Sequence, residues 1–347
     1  MLLETYDWGL EARTLQILFG LGLGLAFGIA AQISRFCLRR AVASDDGPDR
    51  SAAAVWVMGL AAAIGGMHVA ASFGLVDVSS HRFASADLPL AAILIGGLAF
   101  GAGMVLTRGC ISRLTVLSAS GNLRALFVIA TFAILAHATI KGVLSPLRTA
   151  LGEFQVTVPM AQLSDITGFA PAVAALLAVG ALYVAWRSGT AWRDMVLGAV
   201  IGLVVVGGWA TTSVLLMDEF DPLPVQSAAF TLPWSDTLFW AIASTAIPAG
   251  FGVAWIGGVL IGAFLSAAAR GEFAFASFES PRQTGRYLTG GALMGVGGVL
   301  AGGCTVGAGL AGGAMLSVAA LVALAAIIFG AVATRQVLSL SGAAKPA

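Results

Sequence analysis

Of the 347 residues, 59% are hydrophobic and only 10% are Asp, Glu, Lys or Arg, against about 25% charged in an ordinary soluble domain. That excludes a water-exposed globule. A net charge of +1, from 18 basic and 17 acidic residues, leaves no basic surface for nucleic acid. The 45 glycines are nearly double the usual share of about 7% and follow no collagen period, which fits close helix packing or broken helices in a membrane.

The N-terminal stretch MLLETYDWGLEART is acidic and leads into a long apolar run without a small-residue cleavage site, so it reads as the approach to a retained span and not as a signal peptide. Apolar runs follow at 14–34, 52–76, 90–106, 125–140, 168–186, 195–217, 238–269, 287–300 and 317–337. Spans of about 20 residues with connections of about 10 limit the chain to roughly eleven crossings. The predicted fold is an all-α polytopic membrane protein of about nine transmembrane helices, forming one integral membrane domain over residues 1–347. The runs at 90–106 and 287–300 pass directly into RGCISRL and AGGCTVGAGL, so both are predicted to break inside the membrane as short re-entrant half-helices. Such backbone is tolerated only where protein or a polar cavity covers it.

An internal repeat coincides with the breaks. At a shift of 194, residues 96–110 match 290–304 at Gly96, Gly97, Gly101, Gly103, Val105, Leu106, Gly109 and Cys110. Glycine bias inflates such a score, but it does not align a rare cysteine. A weaker echo at a shift of 234 joins Gly24 and Gly28 to Gly258 and Gly262, and there Cys37 falls opposite Gly271. Two pseudo-symmetric halves, about 14–140 and 238–337, are expected, linked by the spans at 168–217. The loop bearing Arg187 and Arg193 is predicted to be cytoplasmic and the Pro-rich 218–236 loop external.

Cys37, Cys110 and Cys304 are the only cysteines. They are too few for a disulfide framework, and no C-x-x-C is present. Cys110 lies between Gly109 and a stretch, ISRLTVLSA, that is able to form a short helix, so its thiol is predicted at a half-helix N-terminus, where free N–H groups attract anions. Arg108 and Arg113 flank it, and arginines at membrane depth are functional candidates by default. Cys304 occupies the matching step beside Gly303 but without arginines. Cys37 sits in SRFCLRR at the end of the first span, where a small apolar filler beside anchoring arginines is an even alternative. His137 and Lys141 share a helix face, and Lys141 reads first as a snorkelling residue. His68 lies inside a span and His81 in a loop. No carboxylate pair lies within a span, and Gly22-x-Gly24 and Gly295-x-Gly297 open no strand–turn–helix unit. No cofactor and no resident metal are expected.

The segments RFCLRRA, RGCISRLTVLSASGNLRALF and GGVLAGGCTVGAGLAGG, taken in order, resemble the YeeE/YedE family of bacterial sulfur-transport membrane proteins. The resemblance covers nearly the whole chain. It implies a helical protein of two pseudo-symmetric halves with short helices dipping inward, placed in the bacterial inner membrane. It further implies that thiosulfate passes by transient contacts with Cys37, Cys110 and Cys304, and that a small cytosolic sulfurtransferase-like sulfur carrier is a partner. Arg108, Arg113, Gly109 and Gly303 complete the expected translocation site, and the lipid bilayer is the remaining partner.

Two other classes compete with a permease for thiosulfate or a related sulfur anion. A membrane thiol oxidoreductase or sulfurtransferase is disfavoured by the missing C-x-x-C. A soft-metal transporter would use thiolates with Met104, Met294 or Met315 nearby.

Overall fold

Backbone N–H and C=O groups in hydrocarbon must be satisfied within their own segment, so the long apolar runs become helices. The computed structural model describes residues 12–166, 169–216 and 224–340. Residues 1–11 of the N-terminal stretch, the first residue of the run at 168–186, the last of the run at 195–217, and Asp218, Glu219 and Asp221 lie outside the described residues.

The helices in order are α1 (Ala12–Ser34), α2 (Leu38–Ala43), α3 (Arg50–Ser72), α4 (Leu90–Leu106), α5 (Ile111–Ala119), α6 (Leu123–Lys141), α7 (Ser145–Gly152), α8 (Phe169–Ser188), α9 (Trp192–Ala210), α10 (Thr231–Ala243), α11 (Phe251–Ala269), α12 (Pro281–Leu300) and α13 (Val318–Leu340). π-Helical turns occupy Thr211–Leu215 and Gly307–Gly312. The only sheet among the described residues pairs β1 (Asp87–Pro89) with β2 (Gln155–Thr157), antiparallel. Eight segments are long and apolar enough to cross a membrane. A ninth long helix, α12, has 20 residues but carries Arg282 and Arg286 near its start. The fold is the all-α polytopic class read from the sequence.

The run at 238–269 is not one helix. It divides into the end of α10 and the whole of α11, with 244–250 between them. Pro248 cannot donate to a helical ladder and Gly250 adopts an extended conformation there, so the apolar composition alone overstated its continuity.

Glycine decides how closely these helices approach. Any Cβ at Gly24 or Gly28 on α1 would overlap the carbonyl oxygen of Trp255 or Val259 on α11, and one at Gly258 or Gly262 would overlap that of Leu21 or Leu25. The two Gly-x-x-x-Gly stretches therefore form one crossing, held by van der Waals contact between backbones. Rising numbers on α1 meet rising numbers on α11, so the two run parallel. By the same test α3 is parallel to α9, α4 to α13 and α6 to α12, whereas α4 and α12 are antiparallel, Gly96 meeting Leu300 and Gly103 meeting Gly290 and Met294. Two opposed helices, α4 and α12, are thus each followed by a cysteine, a short helical piece and a further long helix.

Candidate functional site

All three cysteines follow the same backbone feature. Each follows by two residues a backbone position in the left-handed region: Arg35 (φ 53°) before Cys37, Arg108 (φ 58°) before Cys110 and Gly302 (φ 78°) before Cys304. In the first two cases the next amide closes a long-helix end, Phe36 N–H donating to Ala31 C=O at 3.2 Å and Gly109 N–H to Met104 C=O at 3.1 Å, the Schellman pattern that a left-handed residue permits. The chain then reverses, and Cys37 and Cys110 become the capping residues of α2 and α5. The Cys304 carbonyl accepts from Ala308 N–H at 2.8 Å, and its Sγ accepts from Gly307 N–H at 3.3 Å. Glycine is the usual occupant of such a position, and an arginine costs roughly 1–2 kcal/mol there. Arginine at two of the three positions is a local strain of the sort that gathers at functional sites.

The fold brings two of the thiols together. Cys37 Sγ and Cys110 Sγ are 3.8 Å apart, and Ser112 Oγ stands 3.2 Å from Cys110 Sγ. All three cysteines are free and buried. Phe36, Phe27, Phe230 and Trp255 form an apolar cluster beside Cys37, with ring centroids 5.2–6.5 Å from Phe27. The segment before α10 and the first turn of that helix link the cysteine steps: Ala229 lies against Gly307, Phe230 against Phe27, and the Trp234 indole N–H donates to Thr115 Oγ1 of α5 at 2.8 Å.

A cavity of about 530 Å³ opens beside the first two steps, lined by Gln32, Arg35, Arg40, Arg113, Leu117, Ser120, Asn122, Glu272, Ala274 and Ala276. Its arginines are not equivalent. Arg40 is held by Asp49 at 2.6 Å. Arg113 Nη1 is buried and has no hydrogen-bond partner. An unpaired guanidinium N–H away from water is costly unless something anionic meets it, so Arg113 brings to the cavity a buried donor that suits an anionic ligand. Glu272 is occupied by Arg270 at 2.8 Å and by the Gln32 amide at 3.1 Å.

Arg108 departs from the arrangement read from the sequence. Its backbone forms the step before Cys110, but its side chain ion-pairs with Asp45 at 3.7 Å, a carboxylate that also holds Arg39. Gly109 and Gly303 flank their cysteines. At Gly303 a Cβ would stand 2.7 Å from the Ala308 backbone nitrogen, so that position admits no side chain without moving the loop, whereas at Gly109 it would only press on Leu114 at 3.2 Å. His137 is hydrogen-bonded to Ser235 Oγ at 2.9 Å and stacked on Phe239. His68 and Lys141 are exposed.

A residue not singled out in the sequence lies at the third step. The short turn at Arg82–Ala84 crosses the outer end of the Cys304 loop, and Arg82 Nη2 donates to Gly302 C=O. His81 packs edge-on against Trp209, whose indole N–H donates to Ala311 C=O at 3.1 Å. Burial, and then the neighbouring Arg82, lower the His81 pKa to about 4, leaving the imidazole neutral. No sequence signal joins 82 to 302. The R-F-C and R-G-C pair, by contrast, was available as a sign that Cys37 and Cys110 share one geometry.

Fold and site together define a multi-pass membrane protein in which thiols and arginines stand at breaks in the helices, an arrangement suited to guiding an anion. A family model described as sulphur transport matches residues 26–333, and the chain belongs to that family. The thiosulfate transporter TsuA of Spirochaeta thermophila is 27% identical over 315 residues, covering 83% of this chain and 88% of the relative. The thiosulfate transporter TsuA of Escherichia coli is 24% identical over 314 residues, covering 84% and 85%. The family is the one the three cysteine settings resemble.

Proposed function

We propose that this protein is a permease of the bacterial inner membrane that takes up thiosulfate, or a closely related sulfur-containing anion. The observation that carries the reading is the buried thiol pair, Cys37 and Cys110 at 3.8 Å, beside a cavity into which Arg113 brings an unpartnered cation. A dianion leaving water loses a large solvation energy, and a positive group at the constriction offsets that loss. Thiols then supply weak donors that hold a soft sulfur without trapping it. Cys37, Cys110 and Cys304 act as successive transient contacts, and Gly109 and Gly303 let the backbone approach. Arg108 sets the Cys110 step through its left-handed backbone.

The whole chain works as one transport domain whose related halves face each other across the path. The connections and helix ends bearing Arg39 and Arg40, Arg187 and Arg193, and Arg270, Arg282 and Arg286 lie on one side of the helices, while Arg13, Arg82, Lys141 and Arg148 lie on the other. By the positive-inside rule the first side is cytoplasmic, and a small cytosolic sulfur-carrier protein would receive the product there. The protein is a conduit and not an enzyme, and with no carboxylate pair or nucleotide motif in the spans, passage is facilitated.

Growth on thiosulfate of a sulfur-uptake-deficient bacterium expressing the wild type, Cys110→Ala or Cys304→Ala tests this. Growth of the wild type and not of the two variants is expected. Equal growth of all three removes the cysteine contacts from the mechanism, and a well-expressed wild type that supports no growth removes the substrate. The 3.8 Å thiol pair also suits thiol–disulfide chemistry as a second reading. Under that reading a Cys37→Ala variant would lose activity as fully as Cys110→Ala.

A further inference from the structure

The three cysteine steps share a left-handed position two residues before the thiol, but only two carry arginine there; the third has Gly302. The geometry points to Arg82 as the cation of the third step, supplied from a distant loop: an anion-capture residue at the mouth on the Cys304 side. This rests on the thiosulfate reading above and adds to it the residue that selects for negative charge at entry.

Arg82 Nη2 is bonded to the carbonyl of Gly302, the position equivalent to Arg35 and Arg108. Its guanidinium carbon stands 5.3 Å from the centroid of the Phe83 ring, and Phe83 lies against Gly302 and Gly312. One donor therefore tethers the guanidinium to the Cys304 loop. A guanidinium has five N–H donors, and Arg82 is exposed, so the remaining ones are open to water and solutes. Cys304 is fully buried while Gly302 is not, which puts Arg82 where the loop meets solvent. His81 beside it is neutral, because burial and Arg82 hold its pKa at about 4. Among the side chains of this turn, Arg82 alone brings a positive charge. Asp77 and Asp87 stand on the same connection, Asp77 with its carboxylate on Ser79 N–H and Asp87 on Thr157 Oγ1.

Two roles are separable. If Arg82 only ties its loop to Gly302, a neutral donor of similar reach is enough; if it captures anions, charge is what matters. Uptake of radiolabelled thiosulfate is measured in the deficient bacterium for wild type, Arg82→Gln and Arg82→Lys, over a range of ionic strength. The expected result is a KM raised about tenfold in Arg82→Gln, the equivalent of about 1.4 kcal/mol, at nearly unchanged maximal rate, with Arg82→Lys close to wild type. The wild-type KM should also rise with salt while that of Arg82→Gln stays flat, since an exposed charge is screened. Arg82→Gln with the wild-type KM, or with a lowered maximal rate at unchanged KM, overturns the inference while leaving the thiosulfate reading in place. A wild type that takes up no thiosulfate overturns both.

Discussion

The Cys37–Cys110 region and the Cys304 region use one backbone device in two chemical settings. In the first, two steps meet, their thiols 3.8 Å apart, with Arg35, Arg40 and Arg113 around a cavity. In the second, a single thiol accepts from the Gly307 N–H inside a glycine-rich loop, and the guanidinium bonded to that loop is that of Arg82. The difference separates what makes a step from what makes it attract an anion. The step needs a left-handed residue two positions before the cysteine, whereas the proposed attraction would come from a guanidinium that the fold leaves without a carboxylate.

Substitutions can break that comparison in order of severity. The largest effect is expected from Cys110→Ala and Cys304→Ala, each reducing thiosulfate uptake to background, because each step has one thiol that the other cannot replace. Next, Gly303→Ala should damage the third step through its backbone, since the new methyl meets the Ala308 amide nitrogen; overpacking of this kind costs about 1–3 kcal/mol. Uptake should fall severely, while Gly109→Ala, which presses only on the Leu114 side chain, retains most of it. Equal losses from the two alanines would contradict the difference drawn between the loops.

A smaller and more selective effect is expected from the arginines. Arg113→Gln should raise the KM about tenfold or more, as expected for a lost charged hydrogen bond of about 1.5–3 kcal/mol. Arg108→Gly should leave uptake nearly intact. It removes a half-exposed ion pair worth about 0–1 kcal/mol and relieves a left-handed arginine. Transport kinetics of the two variants side by side would sharpen the distinction, and a larger defect in Arg108→Gly would reverse it. The smallest effect concerns stability at the Cys304 side. His81 is neutral in the fold with a pKa of about 4 against an ordinary 6.5, so the unfolded chain binds the extra proton between those values. Its contribution is complete above pH 6.5 and declines as pH falls toward 4. Melting of the purified protein should show that decline, and His81→Asn should flatten it.

The membrane class and most helices were legible because apolar length alone dictates them, and RGCISRL announced a break because glycine, charge and a short helical pattern stand together. The division of 238–269 was not, since Pro248 sits in a run whose composition looks continuous. At the site, the settings of Cys110 and Cys304 could be read from the repeat. The meeting of Cys37 with Cys110 could not, because it depends on how α1 and α4 end in space. Arg108 and Arg113 look alike in sequence; only the position of Asp45 separates a paired guanidinium from a free one. Arg82 was invisible for the same reason, being 220 residues from its partner in the chain.

The central claim is that the cysteine steps contact the moving anion. Flux of radiolabelled thiosulfate into proteoliposomes containing purified wild type, Cys110→Ala or Cys304→Ala tests it without any cellular partner. The account predicts saturable accumulation with the wild type and none above empty vesicles with either variant. Wild-type flux in both folded variants would contradict it.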